Sequence, residues 1–372
     1  MNIKYNPLIN IVLLFCLFLF LSSCQISRFV YYNFAGIKDY KIFPSRTLQN
    51  DSIIFLFATS NLKKAPKTIT DENKTEMSFE TYLENNNTVA FLIIKNDTIQ
   101  YENYFKGYDK TSVVPSFSMA KSITSILIGC AIDDGLIKSV DEPITNYLPE
   151  LKNNGFEKVS IKHVLQMTSG IDYNENYYNP FSDVASSYYG RHLRKQITKM
   201  TLKIEPGRKF EYKSGNTQIL GLILEEVIKP KTITQYLQEK IWQPIGMEYD
   251  ASWSIDKKKN GSEKTFCCIN ARARDFAKIG RLYLKKGNWN GKQIVSENWV
   301  KESTKQDTIN GSKWYYQYQW WLPTKKGDFM ADGFLGQFIY VNPSKNIIIV
   351  RLGKNEGKIK WWEFFVKIAE LY

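Results

Sequence analysis

Two groups of strand-like segments, far apart in the sequence, constrain the fold of this 372-residue chain most strongly. The first group, TVAFLIIK and TIQYENYF, covers residues 88–105 and is interrupted by Asn96-Asp97, a dipeptide typical of a β-hairpin. The second group lies beyond residue 313 and includes FIYVNPSKNIIIVRLG. The range 136–285 between them has mostly helical spacing. This order predicts an α+β fold, in which an antiparallel sheet split in sequence is flanked by helices and carries an inserted all-α subdomain.

An apolar helix is predicted directly after the hairpin. It begins near Ser118 and ends at Gly135, a residue type that commonly stops helices. Ser160 and Asn216 are predicted as N-caps of later helices, because their side chains can accept hydrogen bonds from free N–H groups. A closing helix is predicted at KWWEFFVKIAELY, and the segment IIFLFA (53–58) is predicted as an edge strand.

The first 24 residues, MNIKYNPLINIVLLFCLFLFLSSC, are predicted to direct export rather than to fold. Their apolar run is shorter than the roughly 20 residues that span a bilayer, which favours a signal peptide over a transmembrane helix. The stretch LSSC resembles the lipobox of bacterial lipoproteins, which implies cleavage before Cys24 and a lipid on its sulfur. An ordinary secretory signal or an uncleaved anchor is the alternative. We therefore expect a signal peptide (1–23), an N-terminal extension or tether (24–78) and a catalytic domain (79–372), located in the periplasm or at the cell surface.

Charge and cysteine content exclude several classes of protein. The formal net charge is +13, but it is spread along the chain without a block of five or more like charges, so no nucleic-acid partner is expected. Cys130, Cys267 and Cys268 are an odd set and are expected to be buried free thiols; a bridge from Cys130 to either of the others is the alternative. The chain has two histidines, His163 and His192, which are too few ligands for a zinc site.

The chemistry of the sequence centres on SFSMAKSITS, which places Ser118 and Lys121 on one face of the apolar helix. A serine hydroxyl is a poor nucleophile unless a base takes its proton, and lysine can serve once burial lowers its pKa. The Ser-x-x-Lys spacing occurs three times, but only here does it begin an apolar helix. The sequence contains no Gly-x-Ser-x-Gly motif, the turn that carries the nucleophilic serine in another class of hydrolases. Lysine and tyrosine are therefore the candidate bases, with Tyr212 in FEYKSGNTQILG as the second one; a packed aromatic residue is the alternative for Tyr212.

Four motifs taken together resemble those of the serine β-lactamase-like hydrolases. SMAK, HVLQMTSG, YKS and DGFLGQF occur in that family's order and rough spacing, and the likeness extends over about residues 80–370, most closely to the 6-aminohexanoate-dimer hydrolases. The resemblance implies that Ser118 is the acylated nucleophile and that Lys121 holds or receives its proton. It also implies that Tyr212 is the general base in acylation and helps to activate water in deacylation.

The resemblance extends to supporting residues, with two departures. Ser214 stands where the family's Tyr-x-Asn motif has asparagine, and the overlapping Ser-Gly-Asn ending at Asn216 is an alternative second motif. The third motif ends at Gly336, and the oxyanion hole is expected from the backbone N–H groups of Ser118 and Gln337. Phe334 stands where β-lactamases carry a cation for a substrate carboxylate, which favours an uncharged substrate. Asp183 and the tyrosines of DYNENYY are predicted substrate contacts.

These observations predict a serine hydrolase that acts on a small-molecule ester or amide through an acyl-enzyme. We expect no metal and no organic cofactor, a monomer, and attachment to the membrane through lipid on Cys24. One alternative is a β-lactamase or D-Ala-D-Ala carboxypeptidase, which requires a cation near Phe334, from Lys325 or Lys326. The alternative from another class is a non-catalytic envelope lipoprotein that binds peptidoglycan or a partner.

Overall fold

The computed structural model describes residues 24–372 except residues 33, 61–63 and 71–73. The predicted signal peptide lies outside the described residues. The α-helices of the described part are α1 (Cys24–Tyr32), α2 (Phe79–Asn85), α3 (Met119–Asp133), α4 (Ile161–Leu165), α5 (Asp183–Tyr189), α6 (Leu193–Ile197), α7 (Ser214–Val227), α8 (Ile233–Leu237), α9 (Ala273–Leu284), α10 (Glu297–Thr304) and α11 (Trp361–Glu370). Within the same residues, no helix combines the length and the hydropathy needed to cross a bilayer.

The strands divide between two larger sheets and two hairpins. They are β1 (Ser45–Leu48), β2 (Ala58–Thr59), β3 (Thr68–Thr70), β4 (Glu76–Ser78), β5 (Thr88–Lys95), β6 (Thr98–Tyr104), β7 (Val114–Pro115), β8 (Ala251–Ser254), β9 (Ile269–Ala271), β10 (Asn288–Trp289), β11 (Lys292–Gln293), β12 (Tyr316–Gln317), β13 (Trp320–Trp321), β14 (Phe329–Gly333), β15 (Gln337–Asn342) and β16 (Ile347–Gly353). The main sheet has the order β12-β13-β14-β15-β16-β5-β6-β2, and a smaller one has the order β1-β8-β9-β7.

The main sheet joins the two ends of the domain, as the strand pattern predicts. The hairpin of β5 and β6 closes at the Lys95–Thr98 pair, with Asn96 and Asp97 both in the left-handed conformation that its turn requires. Strand β16 then pairs antiparallel with β5, so Val350 lies opposite Leu92 across 258 residues of sequence. The prediction of an α+β fold with a split antiparallel sheet is confirmed.

Both faces of the central strands are buried, which explains their nearly continuous apolar runs. Alternate residues of β5 enter different cores: Leu92 packs in the core with α3 and α9, whereas Phe91 packs in the core with α2 and α11. Helix α9 approaches the sheet closely at Gly280, where a Cβ atom would lie 2.9 Å from side-chain carbons of both Ile339 and Ile348. These two layers of helices hold the sheet rigid beneath the N-terminus of α3.

Two local predictions are wrong. Most of the segment 53–58 is not a strand, because only Ala58–Thr59 reaches the sheet, parallel to β6, while the Phe55 N–H donates to Gly246 O instead. Asn216 is not an N-cap, because α7 begins two residues earlier and Asn216 is buried inside its first turn. The predicted hairpin, the helix from Ser118 and the Ser160 cap are present as expected.

The range 136–285, predicted as the all-α subdomain, contains helices α4 to α9 and also the short strands β8 and β9. Three- and four-residue strands leave too short a pattern to separate them from loops. The domain boundaries themselves stay a prediction.

The expectation of free thiols is wrong for two cysteines, because Cys267 and Cys268 form a disulfide between neighbours in sequence, whereas Cys130 is free and buried.

Candidate active site

Ser118 and Lys121 lie at the start of α3, where β7 ends. The Lys121 Nζ donates hydrogen bonds to Ser118 Oγ at 2.9 Å and to Phe266 O at 3.0 Å, and the lysine side chain is only 1% exposed. Pairing of β7 with β9 fixes this arrangement, since it brings the segment that contains Phe266 across from the serine. Phe117, the residue before the serine, has a φ of 43°, a conformation that non-glycine residues adopt only where surrounding structure enforces it.

Burial sets the protonation behaviour of Lys121. Desolvation lowers the pKa of the Lys121 ammonium from its ordinary value to about 8, and the Glu175 carboxylate opposes this by raising the pKa. A substantial fraction of the amine is therefore neutral in mildly alkaline solution. A neutral amine within hydrogen-bonding distance of a serine hydroxyl can accept its proton.

Tyr212 completes the trio predicted from the sequence. Its hydroxyl is hydrogen-bonded with Ser118, and the Lys121 Nζ lies 5.0 Å from the centre of its ring. Burial raises the pKa of the Tyr212 phenol well above its usual range, and the charges of Glu175 and Asp332 raise it further, while the bond with Ser118 lowers it. Tyr212 is therefore a phenol in the resting protein, and Lys121 is the group of the trio that loses its proton first.

Glu175 is a site residue that the sequence pattern does not reveal. Its carboxylate accepts hydrogen bonds from the Ser214 N–H at 2.7 Å, from the Ser214 hydroxyl at 2.5 Å and from the Tyr177 hydroxyl at 2.8 Å. Ser214 is the first residue of α7, where backbone N–H groups lack helical partners and the helix dipole favours a negative charge. The only sequence signal is the position of Glu175 in DYNENYY, whereas Asp183 of the same region accepts from the Asn174 N–H and begins α5.

Ser214 and Asn216, which represent the two possible second motifs, lie in different surroundings. Ser214 lies on the wall of the cavity that contains Ser118. Asn216 faces away and supports the HVLQMTSG segment: its Oδ1 accepts from the Ser169 hydroxyl, and its Nδ2 lies 3.4 Å from the Met167 sulfur. The arrangement thus brings Tyr212 and Ser214 to the site and gives Asn216 a buried structural position.

The third motif lies at the tight connection between β14 and β15. Gly333, the last residue of β14, approaches the start of α3 so closely that a Cβ atom there would collide with Ser116 O. Gln337 is the first residue of β15 and pairs with Gly333; its side-chain amide donates to Gly353 O at 2.7 Å and accepts from the Gly353 N–H at 3.1 Å. Gly336 O accepts a hydrogen bond from the Arg351 guanidinium. The part of Gly336 and Gln337 in an oxyanion hole stays a prediction.

An apolar cavity of about 60 Å³ opens beside Ser118. This volume is several times the roughly 10–15 Å³ that one water molecule needs, so the cavity admits a small apolar group. Phe334 forms part of its wall, between Phe117 at 5.8 Å and Tyr177 at 5.3 Å, measured between ring centres. None of the described residues that line it is Lys, Arg or His. Lys325 instead lies over the Trp314 ring, so it does not supply a cation to this wall.

A second group of aromatic side chains, separate from the cavity wall, contacts the Tyr212 ring. Trp321 lies 5.4 Å from the Tyr212 ring and 5.3 Å from the Trp362 ring, measured between centres. Trp362 donates its indole N–H to the Asp332 carboxylate at 3.0 Å, and burial raises the pKa of Asp332 to about 7. Of the aromatic run 314–321, Tyr316, Tyr318 and Trp320 are buried, whereas Trp321 borders the site.

The sequence of the chain matches the family model described as Beta-lactamase over residues 79–359. The chain belongs to the beta-lactamase family. The matched range contains Ser118, Lys121, Tyr212 and the connection between β14 and β15, so family membership and the site geometry concern the same part of the molecule.

This β-lactamase-family chain is similar to several named proteins. The 6-aminohexanoate-dimer hydrolase of Paenarthrobacter ureafaciens is 29% identical over 296 residues, which are 73% of this chain and 74% of the relative. A solved Bacillus anthracis structure named for the same activity superposes with a TM-score of 0.78 at 23% identity, covering 92% of this chain and 94% of its own. A family VIII carboxylesterase gives a TM-score of 0.61 at 16% identity, covering 76% and 90%. The family and the sequence relative support a serine hydrolase that acts on an ester or an amide, and the two solved structures show the same fold.

Proposed function

We propose that Ser118 is the nucleophile of this serine hydrolase and that neutral Lys121 is its base. The observation that carries the proposal is the 2.9 Å hydrogen bond between Lys121 Nζ and Ser118 Oγ, made by an amine whose pKa is lowered to about 8. In acylation, the hydroxyl proton passes to Lys121 while Oγ bonds to the substrate carbonyl carbon. When the tetrahedral intermediate collapses, the leaving alcohol or amine takes a proton from the Tyr212 hydroxyl, and Lys121 returns its own proton to Tyr212.

Deacylation uses the same groups in reverse. A water molecule gives its proton to Lys121 through Tyr212 and attacks the acyl carbon, after which Ser118 leaves with a proton and the free acid departs. The Ser118 and Gln337 backbone N–H groups are the proposed oxyanion donors, since preorganised donors stabilise the charge that develops on the carbonyl oxygen. Glu175 holds Ser214 at the N-terminus of α7 and tunes the pKa of Lys121.

We infer that the substrate is an uncharged ester or amide with an apolar acyl group. The cavity wall at Phe334 is aromatic, and no cation lines the described part of the cavity, so a carboxylate-bearing β-lactam or D-Ala-D-Ala peptide would bury its charge without a partner. The names of the relatives, a 6-aminohexanoate-dimer hydrolase and a carboxylesterase, agree with an amide or an ester as the reacting group.

We also propose that the protein is a lipoprotein of the cell envelope, anchored through Cys24. The proposal rests on the LSSC stretch and on the apolar run before it. Mass spectrometry of the membrane-extracted protein is expected to find a diacylglyceryl mass on the peptide that begins at residue 24. Membrane retention without that mass, or unchanged retention of Cys24→Ala, contradicts the anchor.

The function is tested by covalent labelling and turnover. A fluorophosphonate probe is expected to label the wild-type protein on Ser118 and to leave Ser118→Ala unlabelled; Ser116→Ala, two residues earlier, is the matched control that keeps the label. Intact mass spectrometry after exposure to a p-nitrophenyl ester, a short amide and a β-lactam then identifies the substrate class by the acyl adduct. Equal labelling of wild type and Ser118→Ala rejects the proposal and favours a non-catalytic binding protein.

A further inference from the structure

A group of exposed apolar side chains lies in the two segments, Phe29 to Ala35 and Tyr177 to Tyr189, that contribute wall residues to the Ser118 cavity. We call it the aromatic rim. Its members and their exposed fractions are Val30 (62%), Tyr31 (81%), Phe34 (51%), Tyr178 (70%) and Phe181 (67%). Large apolar side chains exposed together in this way mark surfaces that bind another apolar surface.

The aromatic rim is physically continuous with the cavity. Phe34 contacts Tyr178 at 5.7 Å between ring centres, and both residues line the cavity together with Ser118. Phe29 of α1 contacts Phe34 at 5.9 Å and Tyr189 of α5 at 5.4 Å, so it ties the N-terminal segment to the cavity wall. A surface that covers Phe34 and Tyr178 therefore also covers this side of the cavity.

The adjacent N-terminal sequence indicates what covers the rim. Helix α1 begins at Cys24, six residues before Val30 and directly after residues 1–23, which contain a long apolar run and a single charged residue, Lys4. If this segment is retained, or is replaced by a lipid on Cys24 as proposed above, it brings the start of α1 to a bilayer. The formal charge of +13 adds attraction to anionic headgroups, and aromatic side chains are favourable at the headgroup level of a membrane.

We propose that the aromatic rim docks on the lipid bilayer and turns the cavity mouth toward it, so that Ser118 receives the acyl group of a membrane-borne ester or amide. This inference rests on the proposed hydrolase function for its substrate, but the docking itself does not depend on catalysis. In the docked state the apolar rim leaves water and the acyl group reaches the apolar cavity without crossing the aqueous phase.

The orientation is tested with an environment-sensitive fluorophore attached to an introduced cysteine. Phe181→Cys places the probe on the rim, and Leu136→Cys places it just past the C-terminus of α3, roughly 22 Å along that helix from Ser118. In the mature lipoprotein Cys16 is removed and Cys24 carries the proposed lipid, Cys130 is buried, and Cys267 and Cys268 are bonded to each other, so mature wild-type protein labelled in parallel gives the blank. With phosphatidylcholine–phosphatidylglycerol vesicles, we expect a blue shift and at least a two-fold rise in emission at residue 181 and neither at residue 136. The same response at both positions, or none at residue 181, overturns the proposal.

The substrate part is tested with the triple variant Val30→Ser, Tyr31→Ser, Phe181→Ser, none of which lines the cavity. Its kcat/KM for soluble p-nitrophenyl acetate should stay within about two-fold of wild type, while hydrolysis of hexadecyl acetate in vesicles, a membrane-borne ester with a small acyl group, should fall at least ten-fold. Leu136→Ser should change neither rate. Equal rates of the triple variant and wild type on the vesicle substrate overturn the proposal.

Two further outcomes separate the possible failures. If wild-type protein hydrolyses neither ester, the proposed function fails, while the fluorophore at residue 181 still supports or overturns docking by itself. If sedimentation without vesicles shows a dimer that the triple variant loses, the rim is covered by a second copy of the chain, which overturns the bilayer as its occupant.

Discussion

The carboxylate of Glu175 accepts hydrogen bonds from both the backbone N–H and the hydroxyl of Ser214, across 39 residues of sequence. This contact places a negative charge at the N-terminus of α7, close enough to Lys121 and Tyr212 to raise the pKa of each. The trio of Ser118, Lys121 and Tyr212 therefore has a fourth, acidic neighbour whose charge raises the pKa of the lysine and of the tyrosine.

The first prediction concerns pH. Lys121 acts as a base only when neutral, and its pKa is lowered to about 8, so the base is protonated below that pH and free above it. The kcat/KM of an ester is expected to rise with pH through an apparent pKa near 8, a value that belongs to the coupled site rather than to the lysine alone. Lys121→Ala should lose this rise and about 10²- to 10⁴-fold of the rate. A pH–rate profile that is flat from pH 6 to pH 10 contradicts the assignment.

Removal of the Glu175 charge should move that profile. The carboxylate raises the pKa of Lys121, so Glu175→Gln is expected to shift the rise in kcat/KM toward lower pH, with a loss of about ten-fold because Ser214 loses a charged acceptor. Asp183→Asn is the matched control, since its carboxylate binds the Asn174 N–H. An unmoved profile in Glu175→Gln would show that its charge does not act on the base.

Tyr212→Phe removes the hydroxyl that is hydrogen-bonded with Ser118 but keeps the ring that contacts Trp321. We expect kcat to fall about 10²-fold, as for loss of a group that transfers a proton, while KM changes little. Tyr316→Phe is the control, because the Tyr316 hydroxyl is buried without a partner among the described residues and its ring lies 6.0 Å from that of Tyr212. Similar rates for the two variants reject the role of the Tyr212 hydroxyl.

Phe334→Lys tests why the site should prefer uncharged substrates. The new ammonium would stand in an aromatic wall between Phe117 and Tyr177, where a charge is costly without a partner. We expect kcat/KM for a neutral ester to fall about ten-fold and the rate of acylation by a cephalosporin, measured by intact mass, to rise relative to it. Phe334→Leu, which keeps the wall apolar, should retain the preference of wild type. An unchanged ratio in Phe334→Lys would remove this wall from the explanation of specificity.

Local sequence was sufficient for the elements that depend on neighbouring residues. The Asn96-Asp97 turn, the helix that follows Ser118 and its end at Gly135 were predictable because turns and helices depend on residues at most a few positions apart. The placement of Ser118 and Lys121 on one helix face was predictable for the same reason, since residues i and i+3 share a helix face.

Longer-range relationships were not predictable in this way. Asn216 has the residue type of a cap, yet α7 begins at Ser214, whose N–H donates to the distant Glu175 carboxylate, and Asn216 binds Ser169 inside the fold. The bond between Cys267 and Cys268 and the short strand β9 beside it depend on how that loop packs beneath the start of α3. No periodic pattern in the sequence indicates such contacts.

The sequence by itself determined a split antiparallel sheet and an apolar helix with a serine and a lysine on one face, and its resemblance to a known family made Tyr212 a candidate partner for them. Only the tertiary structure decided that the three side chains meet, that Glu175 joins them, and that Phe34 and Tyr178 line the cavity. The reason is physical: side-chain period follows from backbone geometry, whereas desolvation and contact between distant segments exist only once the whole chain has packed.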